Sequence, residues 1–332
     1  MSKPEFSPAT AVYTPPQVAA AGVAAIEKMR HSSTRSIGIG IPEIRDYFAP
    51  MLPGQVCAVI AQTSNYKSGF LHSIEHLAAQ QLGAEGRDEV IAHVSVEEGI
   101  EEQAFYAFAR ESGERPGDMA RGQVQDWDGL MRAAVKVSGV PIFRIGDSLA
   151  RADDMPNLYL SNMIRSLRHL RDELFDKPLK FAALYFDYLQ AFPIDPETKG
   201  AVHDQQRRLQ VRSDVYRLRQ AAAYFQCPVF VAVQAKQHLD GAPGPNMLIP
   251  GIYDGEESSS IAQRCDRIIS LWMPKQTHTI GSDIEHKGKS IRVDENLMFV
   301  KVCKQRGGLP SGKVWKCRID FSTNTILPEH LS

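Results

Sequence analysis

The sequence has no long apolar run, no excess of either charge and no paired cysteines. Nowhere does it approach the ~20 consecutive apolar residues that a bilayer span requires, and no basic start followed by an apolar stretch opens it. Neither a membrane span nor an export leader is expected, so the expected location is cytoplasmic. Lys and Arg number 38 against 39 Asp and Glu, a formal net charge of −1. That balance argues against a broadly basic nucleic-acid coat and leaves room only for a local basic groove. The five cysteines (Cys57, Cys227, Cys265, Cys303 and Cys317) show neither CxxC nor metal spacing. Most lie in apolar, strand-like or helix-end contexts and read as buried, reduced thiols. What is present is an ordinary globular mixture of 332 residues, 43% apolar and 23% charged. It suffices for one large α/β domain with appendages, or for two small domains.

The chain is organised around residues 53–68. Pro53-Gly54 turns into the apolar run Val56 to Ala61, a polar loop follows, and Lys67-Ser68 heads a segment with Phe70, Leu71, Ile74, Leu77, Ala78 and Leu82 at helical spacing. Strand, loop, Lys-Ser and helix are the parts of a phosphate-binding loop. In such a loop, backbone N–H groups and a helix N-terminus receive phosphates, the Lys reaches the outer ones, and the hydroxyl holds Mg²⁺. The candidate nucleotide-binding residues are Ala61, Gln62, Thr63, Ser64, Asn65, Tyr66, Lys67 and Ser68. The pattern GxxxxGK[ST] is broken twice, by Ala61 at the first Gly and Tyr66 at the second. A bulky residue at positive φ costs on the order of 1–3 kcal/mol. Either Asn65 takes the unusual conformation in a shifted loop, or nucleotide binding is weakened.

Further along, residues 1–13 are rich in Pro, Ser and Ala and read as a flexible arm. Thr14-Pro15-Pro16 starts a short helix, with a capping hydroxyl and prolines in its first turn. Its apolar face (Val18, Gly22, Ala25, Ile26, Met29) needs something to dock on, because so short a helix is marginal in water. Apolar strands are expected at 89–96, 140–145, 181–187, 228–234, 267–272, 297–303 and 313–319, the last two as an antiparallel hairpin. Helices are expected at 100–112, 125–138, 158–175 and 204–226, and an exposed loop over 241–260. Alternating strands and helices imply a mainly parallel sheet covered on both faces. Trp127, Trp272 and Trp315 sit among apolar neighbours and read as core. Arg207, Arg208, Arg212, Arg217 and Arg219 read as the solvated face of a helix.

Four polar groups end strands that could adjoin in one sheet: Lys67-Ser68, Glu97, Asp187 and Gln234. Alone, each has a plain structural reading: a solvated Lys, a helix-capping Glu, a turn-capping Asp, a strand-end amide. Together they make up the parts of metal-assisted ATP hydrolysis, with a phosphate loop, an acid supporting Mg²⁺, a carboxylate for water and a polar γ-phosphate sensor.

From about residue 14 to 325 the chain resembles the RecA-like motor domain of DnaB-type hexameric replicative DNA helicases. Asp187-Tyr188-Leu189-Gln190 is similar to that family's Asp-Tyr-Leu-Gln, and Lys304-Gln305-Arg306-Gly307-Gly308 to its Lys-Gln-Arg-Asn-Gly. Ser95-Val96-Glu97 resembles its Ser-Leu-Glu, Val233-Gln234 its Ser-Gln, and Ser260 to Asp266 its Ser-Ile-Glu-Gln-Asp-Ala-Asp. The resemblance implies a RecA-like P-loop ATPase core, a mainly parallel sheet with helices on both faces and an antiparallel C-terminal hairpin. It implies ATP and Mg²⁺ as cofactors, with Glu97 as catalytic base, Lys67 on the β/γ-phosphates, Gln234 as sensor, and Ser68 and Asp187 as the metal residues. Lys304 and Arg306 would serve the neighbouring subunit's γ-phosphate in a homo-oligomeric ring of six. Single-stranded DNA would pass through the ring against residues 192–203 and 238–260. Divisions are expected at 1–13 (arm), 14–50 (linker helix and connector docking on a neighbour), 51–325 (ATPase domain) and 326–332 (tail). With no partner-binding segment before the linker helix, a bare motor is expected. An acid at Glu256, where relatives place an arginine, subtracts from DNA attraction. The alternative is a ring-forming nucleic-acid-binding scaffold whose degenerate nucleotide site is weakly active or inactive.

Overall fold

The computed structural model describes residues 14–31, 37–147, 158–194, 203–236, 247–255, 259–286, 288–307 and 309–329. The N-terminal arm and most of the two expected DNA segments therefore lie outside the described residues, as does Glu256. The chain forms two units, 1–35 and 36–332. The first is the helix α1 (Pro15–His31). Its start follows from Thr14 and Gln17: the Gln17 side-chain oxygen accepts from the Thr14 backbone N–H at 2.8 Å and from its hydroxyl at 3.0 Å. This is the reciprocal half of a capping box. Val18, Val23 and Ile26 are each more than half exposed.

The second unit is built on a nine-stranded sheet of order β11-β10-β9-β6-β1-β5-β4-β2-β3. Its parallel part comprises β1 (Val56–Ala61), β2 (Val90–Ser95), β3 (Ile142–Ile145), β4 (Phe181–Asp187), β5 (Val229–Gln234) and β6 (Arg267–Trp272). The strands β9 (Leu297–Gln305), β10 (Val314–Asp320) and β11 (Thr325–Glu329) close it antiparallel. A separate hairpin, β7 (Asp283–His286) with β8 (Lys289–Arg292), packs Ile284 and Ile291 against Trp272. β1, β4 and β6 are buried at every residue, which is why they read as unbroken apolar runs rather than alternating ones. One face of the sheet carries α3 (Lys67–Ala84) together with residues 37–51, and the other carries α7 (Leu160–Asp172), α8 (His203–Tyr224) and α9 (Ser259–Arg264).

The fold expected from sequence is the fold observed, with local differences, among them a start of α9 at Ser259 with Ser260 buried, inside the segment expected as an exposed loop. Residues 37–50 are not a connector: Ile37, Ile39, Ile41, Ile44 and Phe48 are fully buried, and Ile37 bridges Met51. Residues 326–329 are not a tail, because they complete β11, where Ile326 is buried. Trp127 is 63% exposed rather than core. It lies in α6 (Trp127–Ser138), where Leu130 and Ala133 are the buried residues while Trp127, Met131 and Val135 share the outward row. Two apolar rows compete on that helix, and periodicity alone does not say which one faces the protein. All five cysteines are buried and free. No described helix is long and apolar enough to cross a membrane.

Candidate nucleotide site

Strand order brings the polar groups together. β1, β5, β4 and β2 are consecutive, with Ala61 in register with Gln234 and Ser95 in register with Asp187. A cleft of about 600 Å³ opens at their carboxyl ends, lined among others by Thr63, Tyr66, Lys67, Ser68, Glu97 and Gln234. This is the edge at which open α/β sheets bind ligands.

The loop from β1 to α3 keeps the shape of a phosphate loop without its glycines. Tyr66 itself, not Asn65, takes the left-handed conformation, at φ 64° and ψ 31°, and Ser64 also has positive φ at 61°. Asn65 is instead a buried brace. Its side chain donates to Thr63 O at 3.0 Å and accepts from Met273 N at 2.7 Å. The strain at Tyr66 is offset by where its ring goes. The hydroxyl donates to Asn324 Oδ1, and the ring meets Phe321 edge-on at 5.6 Å, both in the turn between β10 and β11. The ring also covers Gly69, where an added Cβ would fall inside contact distance of three ring carbons. Gly69→Ala should therefore not give the ~1 kcal/mol that a helical Gly→Ala exchange usually gives. Overpacking costs of about 1–3 kcal/mol are expected to win. In a Tyr66→Gly background the same change should become stabilising. Urea denaturation of the four proteins tests this, and a Gly69→Ala gain in the parent chain would refute it.

Lys67 is 9% exposed, and its Nζ donates to Gln234 Oε1 at 2.7 Å and to Gln62 O at 3.2 Å. The Gln234 amide donates in turn to Thr63 Oγ1 at 2.8 Å. Gln190, the last residue of the Asp-Tyr-Leu-Gln stretch, holds the backbone of Gln234 at both ends: it accepts from Gln234 N at 2.9 Å and donates to Gln234 O at 3.3 Å. Two residues on, Lys236 N donates to Asp254 O at 2.8 Å, where the segment flanking 237–246 returns to the sheet. The side chain of the α3 N-cap, Tyr66, makes no capping hydrogen bond to the first turn of the helix, and that N-terminal end faces the cleft through Lys67, Ser68 and Gly69.

Asp187 is fully buried, and among the described residues neither carboxylate oxygen completes a hydrogen bond. Burial pushes its carboxyl up to about 7, and Glu98 adds to this. The Ser68 hydroxyl, near but not in hydrogen-bond geometry, pulls it back. An orphaned buried carboxylate beside a hydroxyl at the head of a phosphate loop fits a hydrated divalent cation. Glu97 is exposed to the cleft, and its carboxyl is raised by partial burial against the pull of Lys67. Lys304 and Arg306 do not line the cleft of their own chain. Lys304 Nζ donates to Ala262 O at 2.6 Å and Cys265 O at 2.8 Å, while Arg306 pairs with Asp266 Oδ1 at 3.1 Å and with Gln263 O. Both cap the C-terminal end of α9.

Beneath the cleft lies a cluster that motif reasoning missed. His72 Nδ1 meets Glu75 Oε1 at 3.0 Å and its Nε2 meets Glu98 Oε2 at 2.8 Å. Glu75 also accepts from Arg144 Nη2 at 2.6 Å and from His93 Nδ1 at 2.5 Å. Rings stack through it, Tyr106 on His72 and His72 on His93, each pair at 4.6 Å. The ligand atoms of His72, Glu75 and His93 lie within 4.8 Å of one another. Arg144 already supplies Glu75 with the positive charge a metal would bring, so we read a proton-sharing network. One signal was visible in the sequence: His93 interrupts an apolar strand, and His72 and Glu75 sit on the apolar face of α3.

The network is pH-sensitive in one direction. Burial opposes a charged His72, but Glu75 and Glu98 prevail and hold it up to about 9. Burial pushes the Glu75 carboxyl up, but Arg144, His93 and His72 together outweigh it and hold it well below the carboxylate range, and burial lowers His93. A raised folded-state value gives stability that is complete below the ordinary 6.5 and is lost as the pH climbs through about 9. Unfolding midpoints should thus fall between those pH values in the parent chain and fall less in His72→Gln. Equal slopes would remove His72 as the cause.

Compared with known families, the chain matches the DnaB-like helicase C terminal domain over residues 37–326. None of the curated proteins matches it. Among solved structures it is similar to a DnaB-like replicative helicase, described with its interactions with primase, at 16% identity and a TM-score of 0.67. That likeness covers 92% of this chain and 66% of the helicase, so the chain spans just under two thirds of its length. It is also similar to the ATPase domain of G40P, at 16% identity and a TM-score of 0.71, over 94% of this chain and 99% of that domain. At such identity these structures speak to the fold alone.

Proposed function

The chain belongs to the DnaB-like helicase C-terminal domain family, and from that premise we propose that it is an ATP-driven ring motor that moves along single-stranded DNA and hydrolyses ATP at subunit boundaries. The observation that carries the reading is the arrangement on β1, β5, β4 and β2. Three of these four consecutive strands lead a phosphate-loop Lys, an amide bonded to it and an exposed Glu into one cleft, and the fourth ends in a buried orphan carboxylate, Asp187, behind it.

In this reading the N–H groups at the start of α3 receive the phosphates, and Lys67 exchanges Gln62 O and Gln234 Oε1 for β/γ-phosphate oxygens. Ser68 and Asp187 would hold Mg²⁺, which when bound neutralises charge on the phosphate oxygens. Glu97 orients a water towards the γ-phosphorus and takes its proton as the P–O bond to the β-phosphate breaks. Gln234, having lost its Lys67 partner, passes the nucleotide state along the backbone to Lys236 and the adjoining segment 237–246. From a neighbouring subunit, Arg306 and Lys304 leave the end of α9 to meet the γ-phosphate. The helix α1 docks the face that carries Val18 and Ile26 on an adjacent copy. Against the reading as an inert scaffold stands Tyr66, whose backbone adopts the glycine-like conformation the loop needs.

Steady-state ATP turnover with and without single-stranded DNA is the test, followed by unwinding of a forked duplex. DNA-stimulated turnover and strand separation are expected. No turnover at saturating ATP and Mg²⁺ with DNA present would leave the scaffold standing instead.

A further inference from the structure

Glu97 and Glu98 are adjacent, and both line the cleft, yet only Glu97 is free to act. The Glu98 side chain is 12% exposed and turned down onto His72 Nε2 at 2.8 Å. Both ring nitrogens of His72 face carboxylates, Glu98 and Glu75, so both must donate and the ring is an imidazolium. Arg144 Nη1 also approaches His72 Nδ1, at 3.4 Å, and holds Glu75 more tightly through Nη2 at 2.6 Å. The charges close: Glu75 and Glu98 are negative, His72 and Arg144 positive, and His93 neutral.

We propose that His72 is a positioning residue for Glu97, clamping the neighbouring carboxylate to the phosphate-loop helix and cancelling its charge beside the nucleotide. The proposal rests on the motor reading above. The backbone already has one brace, since Ser95 Oγ accepts from Glu97 N at 3.3 Å and Glu98 N at 3.0 Å. A second is the amide of Gln103, which donates to Glu98 O at 3.1 Å. These hold the main chain of the turn but leave the Glu98 side chain undetermined; His72 supplies that third hold. Released, Glu98 would bring an uncompensated negative charge to a cleft that already carries Glu97 and Glu102 against Lys67, with the buried Asp187 nearby, next to a polyanionic substrate. His72 lies one helical turn beyond Ser68 on α3. The clamp therefore ties the base-bearing turn after β2 directly to the helix that binds phosphate, and through Glu75 and Arg144 to β3.

The experiment compares the parent chain with His72→Gln, Glu98→Gln and the double variant, recording kcat, KM for ATP and the pH profile of kcat with single-stranded DNA. Each single change should lower kcat about tenfold or more, and the double should be no worse than either. In His72→Gln the free Glu98 charge should move the acid limb of the profile up by about half a unit or more, through repulsion at Glu97. The double variant should return that limb to the parent position. A packing role alone would lower the unfolding midpoint while leaving kcat per folded molecule and the acid limb unmoved, and that result overturns the clamp while sparing the motor. A parent chain with no turnover overturns the motor reading, and the clamp falls with it.

Discussion

Glu97→Gln is expected to lower DNA-stimulated ATP turnover by about 10²–10⁴-fold, the usual weight of a general base, while nucleotide affinity stays within about threefold. The exchange keeps the shape of the side chain and its backbone bonds to Ser95. What it removes is a proton acceptor whose carboxyl burial has raised, nearer to working pH than that of an ordinary glutamate. Glu102 also faces the cleft, but it lies on α4 (Ile100–Ser112), outside the braced turn. Glu98 is committed to His72. Binding of a fluorescent ATP analogue alongside turnover separates the roles. A Glu97→Gln protein within tenfold of the parent would mean another group activates the water.

Arg306→Ala is expected to cost about 10³–10⁵-fold in turnover, the range for an arginine meeting a γ-phosphate from a neighbouring subunit. The structure adds a competing explanation. Arg306 holds Asp266 and Gln263 at the end of α9, and Asp266 Oδ2 accepts from Val56 N at 3.0 Å at the root of β1. Truncation could therefore act within its own chain. With the Arg306 side chain 44% exposed, that loss should stay on the order of 1 kcal/mol, a modest change in unfolding midpoint. Mixing decides between them. Glu97→Gln and Arg306→Ala subunits, each nearly silent, should recover activity together, since about one boundary in four then joins an intact Glu97 to an intact Arg306. No recovery on mixing would confine Arg306 to its own chain.

The family resemblance was legible because its motifs sit where local rules are strict. An apolar run ending in Asp187 reads as a buried strand with an acid at its end, and that is what β4 is. Lys67-Ser68 after a β-favouring run reads as a helix start, and α3 begins at Lys67. Less legible was everything that depends on a choice between faces. Trp127 looked like core because its neighbours are apolar, but Leu130 and Ala133 take the inward positions on α6. The second broken position of the phosphate loop looked like damage, because nothing near Tyr66 in sequence announces a seat for its ring.

The amino-acid order alone determined the succession of strands and helices and the chemical types at the strand ends. Both depend on spacings of two to four residues, within which side-chain periodicity and turn chemistry act. The three-dimensional packing alone decided the partners of groups far apart in the chain. Tyr66 meets Asn324 across 258 positions, Gln234 reaches Thr63 across 171, and His72 finds Glu98 across 26. No local rule reaches that far: whether a buried polar atom is satisfied is known only once the sheet has set its strand order and every neighbour is in place.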